Sequence, residues 1–179
     1  MSNETIDQQL PPNQKIEINS YAVKFGIIGG LISIIISLTL FFTGMELKTV
    51  LKWLPTVAMI AIIILGLKSV ADENKNREIT FGTLFKTGMI ITTIIAIISI
   101  VYFLVYINFI DTGFIEKVLD ASRVQMAEKG LGEEQIDNAI EMTKKFMSPG
   151  IMVAFSLIGN LVFGAVTSLI GAGIFKKEK

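Results

Sequence analysis

The fold is decided by residues 88–110, which read GMIITTIIAIISIVYFLVYINFI. These 23 residues contain no charged side chain, and 14 of them are Ile, Leu, Val or Phe. A helix needs about 20 apolar residues to cross a hydrocarbon core about 30 Å thick. At about −0.3 to −0.6 kcal/mol for each of those side chains, insertion gains roughly 4–8 kcal/mol. The segment therefore predicts a membrane-spanning helix.

Three further segments have the same character. Residues 25–42 and 151–175 contain no charge, and residues 50–67 contain only Lys52. Lys52 lies near one end, where a long side chain can reach the headgroups. The sequence thus predicts an all-α, integral membrane four-helix bundle with spans at about 25–42, 50–67, 88–110 and 151–175. For residues 50–67, an interfacial or re-entrant helix is the alternative.

The overall composition excludes several classes of protein. Of 179 residues, 51% are hydrophobic and 18% are charged, below the roughly 25% of an average soluble domain. The 16 basic and 16 acidic residues cancel, so no electrostatic attraction to nucleic acid is expected. The chain has no Cys and no His, which excludes disulfides, thiol nucleophiles and the usual zinc sites.

The distribution of basic residues predicts the orientation. Residues 1–14 are polar and read as a disordered tail, followed by a single membrane domain over 15–179. With four spans, nine basic residues fall on the side of both termini and seven on the other side. Five of the nine stand directly at helix ends. The positive-inside rule therefore places both termini in the cytoplasm.

The long loop between the third and fourth spans predicts an extramembrane amphipathic helical hairpin over residues 114–147. Gly130 suits a helix C-cap, and Pro149 ends the second helix. The loop from Asp111 to Gly150 has five basic and eight acidic residues, a net charge of −3. Apolar residues at helical spacing form the two apolar faces: Ile115, Val118, Leu119 and Met126, then Ile136, Ile140 and Met147.

Small and polar residues form ridges on two of the spans. Such ridges let helix backbones approach closely in lipid, so helix packing is the first interpretation and a polar pathway or an oligomer face the second. Asn160 is expected to face a partner helix, because an unpaired amide is costly in lipid. The ridges are Gly26, Gly30, Ser33 and Ser37 on the first span and Ser156, Asn160, Gly164 and Ser168 on the fourth.

No Asp, Glu, Lys or Arg lies in the middle of a span, which disfavours ion-coupled transport and intramembrane catalysis. The carboxylates of Glu133, Glu134, Asp137 and Glu141 could bind a cation, but a solvated helix face near the positive end of the dipole explains them without a metal. No cofactor and no metal are expected, because nucleotide-binding and metal-binding motifs are absent.

Several short stretches resemble the bacterial membrane-protein family catalogued as domain of unknown function 4199, found mainly in Bacteroidota. They are Ile79-Thr80-Phe81-Gly82 with Lys86-x-Gly88, Asn108-Phe109-Ile110-Asp111, residues 130–136 and 142–150, and Ile174-Phe175-Lys176-Lys177. The resemblance runs from about Lys15 to the end. It implies a four-span protein of the bacterial cytoplasmic membrane, and it implies no activity.

The sequence favours a non-enzymatic, multi-pass membrane protein whose outward hairpin caps the bundle or binds a protein partner. A small uncoupled channel or carrier, functioning as an oligomer, is the alternative. An intramembrane enzyme ranks third, because the spans lack catalytic side chains. The expected partners are the lipid bilayer, a protein at the hairpin and a second copy of the chain; nucleic acid is not expected.

Overall fold

The computed structural model describes residues 12–45, 48, 50–74 and 78–177, with the side chains of all these residues except 12–18 and 52. This part of the chain is all-α, as predicted, and contains six α-helices. A 3₁₀ turn (Leu51–Trp53) precedes the second helix, and a π-helical turn (Tyr106–Ile110) extends the third. The helices are α1 (Pro12–Phe42), α2 (Leu54–Glu73), α3 (Phe81–Val105), α4 (Phe114–Glu128), α5 (Glu133–Phe146) and α6 (Pro149–Phe175).

Four of these helices are long and apolar enough to cross a membrane. The candidate spans are Asn19–Phe42, Leu54–Glu73, Phe81–Ile110 and Pro149–Phe175. The prediction of a membrane-type bundle with four apolar helices is therefore confirmed, and the protein is a membrane protein.

Helices α2 and α3 begin at positions set by their capping residues, and these positions differ from the first residues of the apolar runs. Thr80 accepts a hydrogen bond on Oγ1 from the Thr83 amide at 3.2 Å, so α3 starts seven residues before Gly88. Pro55 lies in the first turn of α2, which therefore starts after residue 50. An uncharged run shows which residues can lie in the hydrocarbon core. The capping residues determine where the hydrogen bonding of the helix starts.

The first helix also begins earlier than the sequence predicts. Pro12 is its first residue, although residues 1–14 were expected to form a disordered tail. Proline is accepted in the first turn of a helix because its missing N–H needs no intrahelical partner there. The rest of the predicted tail, residues 1–11, lies outside the described residues.

The four long helices pack as a bundle in which α2 and α3 are central. Helix α3 packs on α1, α2 and α6, and α2 packs on α1 and α6 as well. Helices α1 and α6 therefore take the two outer positions. We call the half of the bundle that contains the last turns of α2 and α6 the tail half, and the half next to α4 and α5 the hairpin half.

The core is concentrated in the tail half. Helix α6 has no buried residue between Pro149 and Phe163, but five between Gly164 and Ala172. Along α3, the buried positions run from Leu84 to Ala96 and stop there until Tyr106. The fully buried side chains include Ile63, Leu67, Val70, Leu84, Ile91, Thr92 and Ser168. The bundle is thus dense at one end and open at the other.

Contacts between distant parts of the chain close the tail half further. The amides of Ile79 and Lys177 each donate to the other's carbonyl oxygen, at 3.1 and 3.0 Å. The Nζ of Lys177 donates to the carbonyl oxygen of Ala71 at 2.8 Å. A cation near the last turn of α2 also suits the negative end of the helix dipole. The chain end is thereby joined to both α2 and the segment before α3.

Candidate functional site

The hairpin half contains a partly open cavity of about 290 Å³. All four long helices contribute residues to its wall. Hydroxyl groups of Ser33, Ser37, Ser99, Tyr102 and Ser156 line it together with the apolar side chains of Ile34, Pro55, Phe103 and Met152. We call this space the cavity.

The structure divides the two predicted ridges between packing and the cavity. Gly26 and Gly30 lie against Ile94 and Ile98 of α3, where an added Cβ would come within 2.7 Å of either side chain. On α6, Gly164 lies against Thr92 in the same way, and Ser168 lies against Gly88. Ser33, Ser37 and Ser156 instead line the cavity. The ridges therefore change role at the boundary between the two halves.

The buried hydroxyl of Ser168 is unusual. Its Oγ has no hydrogen-bond partner among the described residues, although the residue is fully buried. Its position against Gly88 explains why a small side chain is needed there, because any larger group would push α3 and α6 apart.

Asn160 behaves differently from its prediction. The amide was expected to meet a facing helix, but it donates from Nδ2 to the Ser156 Oγ, one turn away on α6, at 3.4 Å. The residue is half-buried. The physical reason is sparse packing, because the hairpin half of α6 has no buried position.

The chemistry of the cavity is that of neutral hydrogen bonding. Among the described residues, no Asp, Glu, Lys or Arg lines it. The Ser33 hydroxyl donates to the Gly29 carbonyl at 2.9 Å, and its oxygen can still accept. Within the described residues, no three carboxylates come close enough together to hold a metal ion.

A buried carboxylate marks the point where the chain leaves the bundle for the hairpin. Asp111 is 6% exposed and follows the π-helical turn directly. Its Oδ2 accepts from Lys117 Nζ at 2.8 Å and from Tyr106 Oη at 3.4 Å. The same ammonium group lies 5.5 Å from the ring centre of Phe41 on α1. We call the Asp111–Lys117 pair the latch.

Aromatic rings connect this latch to the cavity. Phe114, the first residue of α4, packs edge-on against Tyr106 at 5.5 Å and against Phe103 at 6.5 Å between ring centres. Phe103 is itself part of the cavity wall. A movement of the hairpin at its base would therefore act directly on the cavity wall. The sequence analysis did not identify the latch or the roles of Ser99 and Tyr102. For the latch, the available signal was the acidic Asp111 directly after the apolar run of residues 88–110.

Helices α4 and α5 form the hairpin, joined by a turn in which Gly130 has φ +78°. Leu119 and Ile140 are the buried residues of the two helices, at 8% and 5% exposure. Arg123 Nη1 and Asp137 Oδ1 pair across the helices at 3.3 Å. The other residues of the two predicted apolar faces are half-buried: Ile115, Val118, Met126, Ile136 and Met147.

The rest of the hairpin surface is open. Val124 and Met142 are 59% and 62% exposed, and Phe146 is exposed as well. A groove of about 400 Å³ between the helices is lined by charged side chains around Leu119 and Ile140: Glu116, Asp120, Arg123, Asp137, Glu141 and Lys144. The hairpin therefore presents a polar groove together with separate exposed apolar side chains.

Comparison with known proteins assigns the chain to a family. No curated protein and no solved structure matches it significantly. The model of a family described as "Protein of unknown function (DUF4199)" matches residues 24–177, which include all four candidate spans for most of their length, the latch and the hairpin. Since this match covers most of the chain, the protein belongs to the DUF4199 family.

Proposed function

We propose that this is a non-enzymatic, multi-pass protein of the bacterial cytoplasmic membrane that binds a partner protein through its outward hairpin. The observation that carries the proposal is the construction of the hairpin. Its two helices are paired through their own contacts and anchored at the base by Phe114 and Lys117, while large side chains beyond the base remain exposed. An element stabilised in this way can present a fixed surface.

The chemistry of that surface indicates what kind of partner it suits. Exposed Val124, Met142 and Phe146 supply apolar contact area, of the type enriched in interface cores. The loop that carries the hairpin has a net charge of −3. The favoured partner is therefore a protein with an apolar patch surrounded by basic side chains, and its association should weaken as salt increases.

The absence of Asp, Glu, Lys and Arg from the described lining of the cavity supports the non-enzymatic part of the proposal. A general acid or base must lie within hydrogen-bond reach of the reacting group. The groups that line the cavity are hydroxyls and apolar side chains, which are weak acids and weak nucleophiles unless a base activates them.

Site-specific photo-crosslinking in native bacterial membranes tests the hairpin surface. A photoreactive residue at Val124 or Met142 should yield a discrete adduct with one protein, which mass spectrometry identifies. The matched control carries the same residue at Ile158, an exposed position on α6 inside a candidate span. Ile158 should yield lipid adducts instead.

A second control tests the charge. Replacing both Glu133 and Glu134 by Lys should reduce the adduct from Met142, whereas replacing both by Gln should reduce it less. Adducts of equal yield from Met142 and Ile158, or a set of unrelated proteins without one dominant species, would contradict binding by the hairpin.

The cavity favours a second candidate, a small uncoupled channel or carrier. Hydroxyl-bearing residues from three helices line the cavity, but the buried residues of α6 are confined to the tail half. Transport would therefore require a second conformation or an oligomer. Purified protein in liposomes distinguishes the two functions: release of a trapped small neutral solute supports transport, and unchanged retention with a specific hairpin adduct supports partner binding.

A further inference from the structure

We propose that the cavity binds an uncharged membrane lipid whose polar end carries hydroxyl or carbonyl oxygens. This proposal is independent of the hairpin partner, because it rests on the interior of the hairpin half. The cavity volume of about 290 Å³ lies near the lower end of the about 300–1,000 Å³ typical of small-molecule sites.

The lining selects for an uncharged ligand with two kinds of surface. The wall combines the hydroxyl-bearing residues Ser33, Ser37 and Ser99 with the apolar residues Ile34, Phe103 and Met152. A charged headgroup would lose its hydration and find no counter-charge there, which is costly. A hydroxyl or ester group can exchange hydrogen bonds with serine side chains without that cost.

The depth of the cavity points to the bilayer as the source of the ligand. Ser37 and Ser33 lie five and nine residues below Phe42, the last residue of α1. At 1.5 Å per residue these positions are about 7.5 and 13.5 Å below the end of the helix. With Phe42 placed at the headgroup boundary, both serines lie between that boundary and the bilayer centre, since half of the hydrocarbon core is about 15 Å.

The wall is open at one place where a lipid could enter. Ser156 lines the cavity and is nevertheless exposed, and half-buried Asn160 lies one turn deeper on the same helix. The Asn160 amide makes its bond to Ser156 and can form further hydrogen bonds. Polar groups open to hydrocarbon are unfavourable, so an entering ester or hydroxyl group would stabilise both side chains.

The dimensions exclude a second helix as the occupant of the cavity. A helix with its side chains is about 10–12 Å wide, whereas the cavity is bounded by four helices within one bundle. A single acyl or isoprenoid chain is slender enough to enter. The occupant that fits size, depth and chemistry together is therefore a lipid chain with a neutral polar end.

Photolabelling of the full chain in nanodiscs tests the proposal. The probe is a diacylglycerol with a diazirine in one acyl chain, and the comparison probe is a phosphatidylglycerol with the same chain. The neutral probe should label peptides around Ser99–Phe103 and Met152–Ser156, and unlabelled diacylglycerol should compete. The charged probe should label the outer surfaces of the helices without competition.

Two substitutions on the same helix provide the matched comparison. Ser99→Phe fills the cavity and should reduce neutral-probe labelling of the cavity peptides about ten-fold. Thr93→Phe adds the same ring at an exposed position of α3 and should leave the labelling unchanged. Ser37→Leu on α1 is a second cavity-filling variant, for use if Ser99→Phe does not fold.

Each outcome decides the question. Saturable labelling that a folded cavity-filling variant reduces about ten-fold, and that Thr93→Phe leaves unchanged, supports the site. Equal labelling by the neutral and the charged probe would show that lipids merely surround the bundle and would overturn the proposal. A photoreactive residue placed at Ser156 that crosslinks two protein chains and yields no lipid adduct would show that the opening is a contact between copies and would also overturn it.

Discussion

Gly164 on α6 lies directly against Thr92 on α3, so closely that a single added carbon atom at Gly164 would overlap the threonine side chain. Gly159, on the same helix five residues earlier, has no atom within 4 Å of the corresponding position. The two glycines stand on either side of the boundary between the open and the dense halves of the bundle. One helix therefore contains both a test position and its own control.

We expect Gly164→Ala to reduce the free energy of unfolding by about 1–3 kcal/mol, because the added methyl group must displace Thr92 or separate the helices. Gly159→Ala should leave it unchanged or raise it by up to about 1 kcal/mol, because alanine has the better helix propensity. Denaturation in mixed micelles measures both. Equal losses for the two variants would contradict a special contact at Gly164.

The core of the hairpin is testable at Ile140, which is 5% exposed. Ile140→Asp should destabilise the helix pair by about 3–5 kcal/mol, since it removes a buried side chain and introduces an unpaired carboxylate. Limited proteolysis should then cut between Phe114 and Met147, while the four spans remain inserted. Met142→Asp introduces the same charge at an exposed position, and this variant should be as resistant to proteolysis as the parent. If the parent is cut as fast as the Ile140→Asp variant, the hairpin is not a packed unit.

The latch makes a separate prediction. Lys117→Met leaves Tyr106 as the one partner of the buried Asp111 Oδ2 among the described residues, which should cost about 1–3 kcal/mol locally. Hydrogen exchange of the amides between Phe114 and Lys117 should accelerate accordingly. Lys129→Met, at an exposed residue beyond the last turn of α4, is the control.

A double substitution distinguishes the pair from a general effect of charge. Asp111→Asn together with Lys117→Met should recover part of the loss, because no buried charge is then left unpaired. If the double variant exchanges faster than the sum of the two single variants predicts, the latch is not the interaction that anchors the base of the hairpin.

Orientation in the membrane can be measured without background, because the chain has no native Cys. Glu73 lies at the tail-half end of α2, and Asn138 lies at an exposed position of α5, so each can be replaced by Cys. An impermeant thiol reagent applied to intact spheroplasts should label Asn138→Cys and not Glu73→Cys. The reverse pattern would place the hairpin in the cytoplasm.

The sequence was sufficient for the features that depend on lipid. Residues 88–110 and 151–175 predict their helices because insertion energy is dominated by the apolar composition of the segment. The starting points of α2 and α3 depend on Pro55, which lies inside the run of residues 50–67, and on Thr80, which lies before the run of residues 88–110. These residues can be recognised in the sequence as helix starts when capping is analysed separately from hydropathy.

The cavity could not be predicted in the same way. Ser33 and Ser37 belong to the same small-residue ridge as Gly26 and Gly30, so the spacing is identical for packing and for lining. What separates them is the distance between helices, which depends on the residues opposite. Similarly, Lys177 and Ala71 are 106 residues apart, and nothing local to either residue indicates their hydrogen bond.

The π-helical turn at Tyr106–Ile110 has a consequence for how this architecture could change. Its amide-to-carbonyl bond from Asp111 to Tyr106, at 2.8 Å, encloses one residue more than an α-helical turn does. Each residue of an α-helix advances the chain by about 100° around the axis. The extra residue therefore sets the direction, around the axis of α3, in which the following chain leaves the helix. Deletion of one residue there would rotate the hairpin about the axis of α3 while leaving the transmembrane helices in place. A deletion of three nucleotides could therefore change which hairpin surface this protein presents outside the membrane.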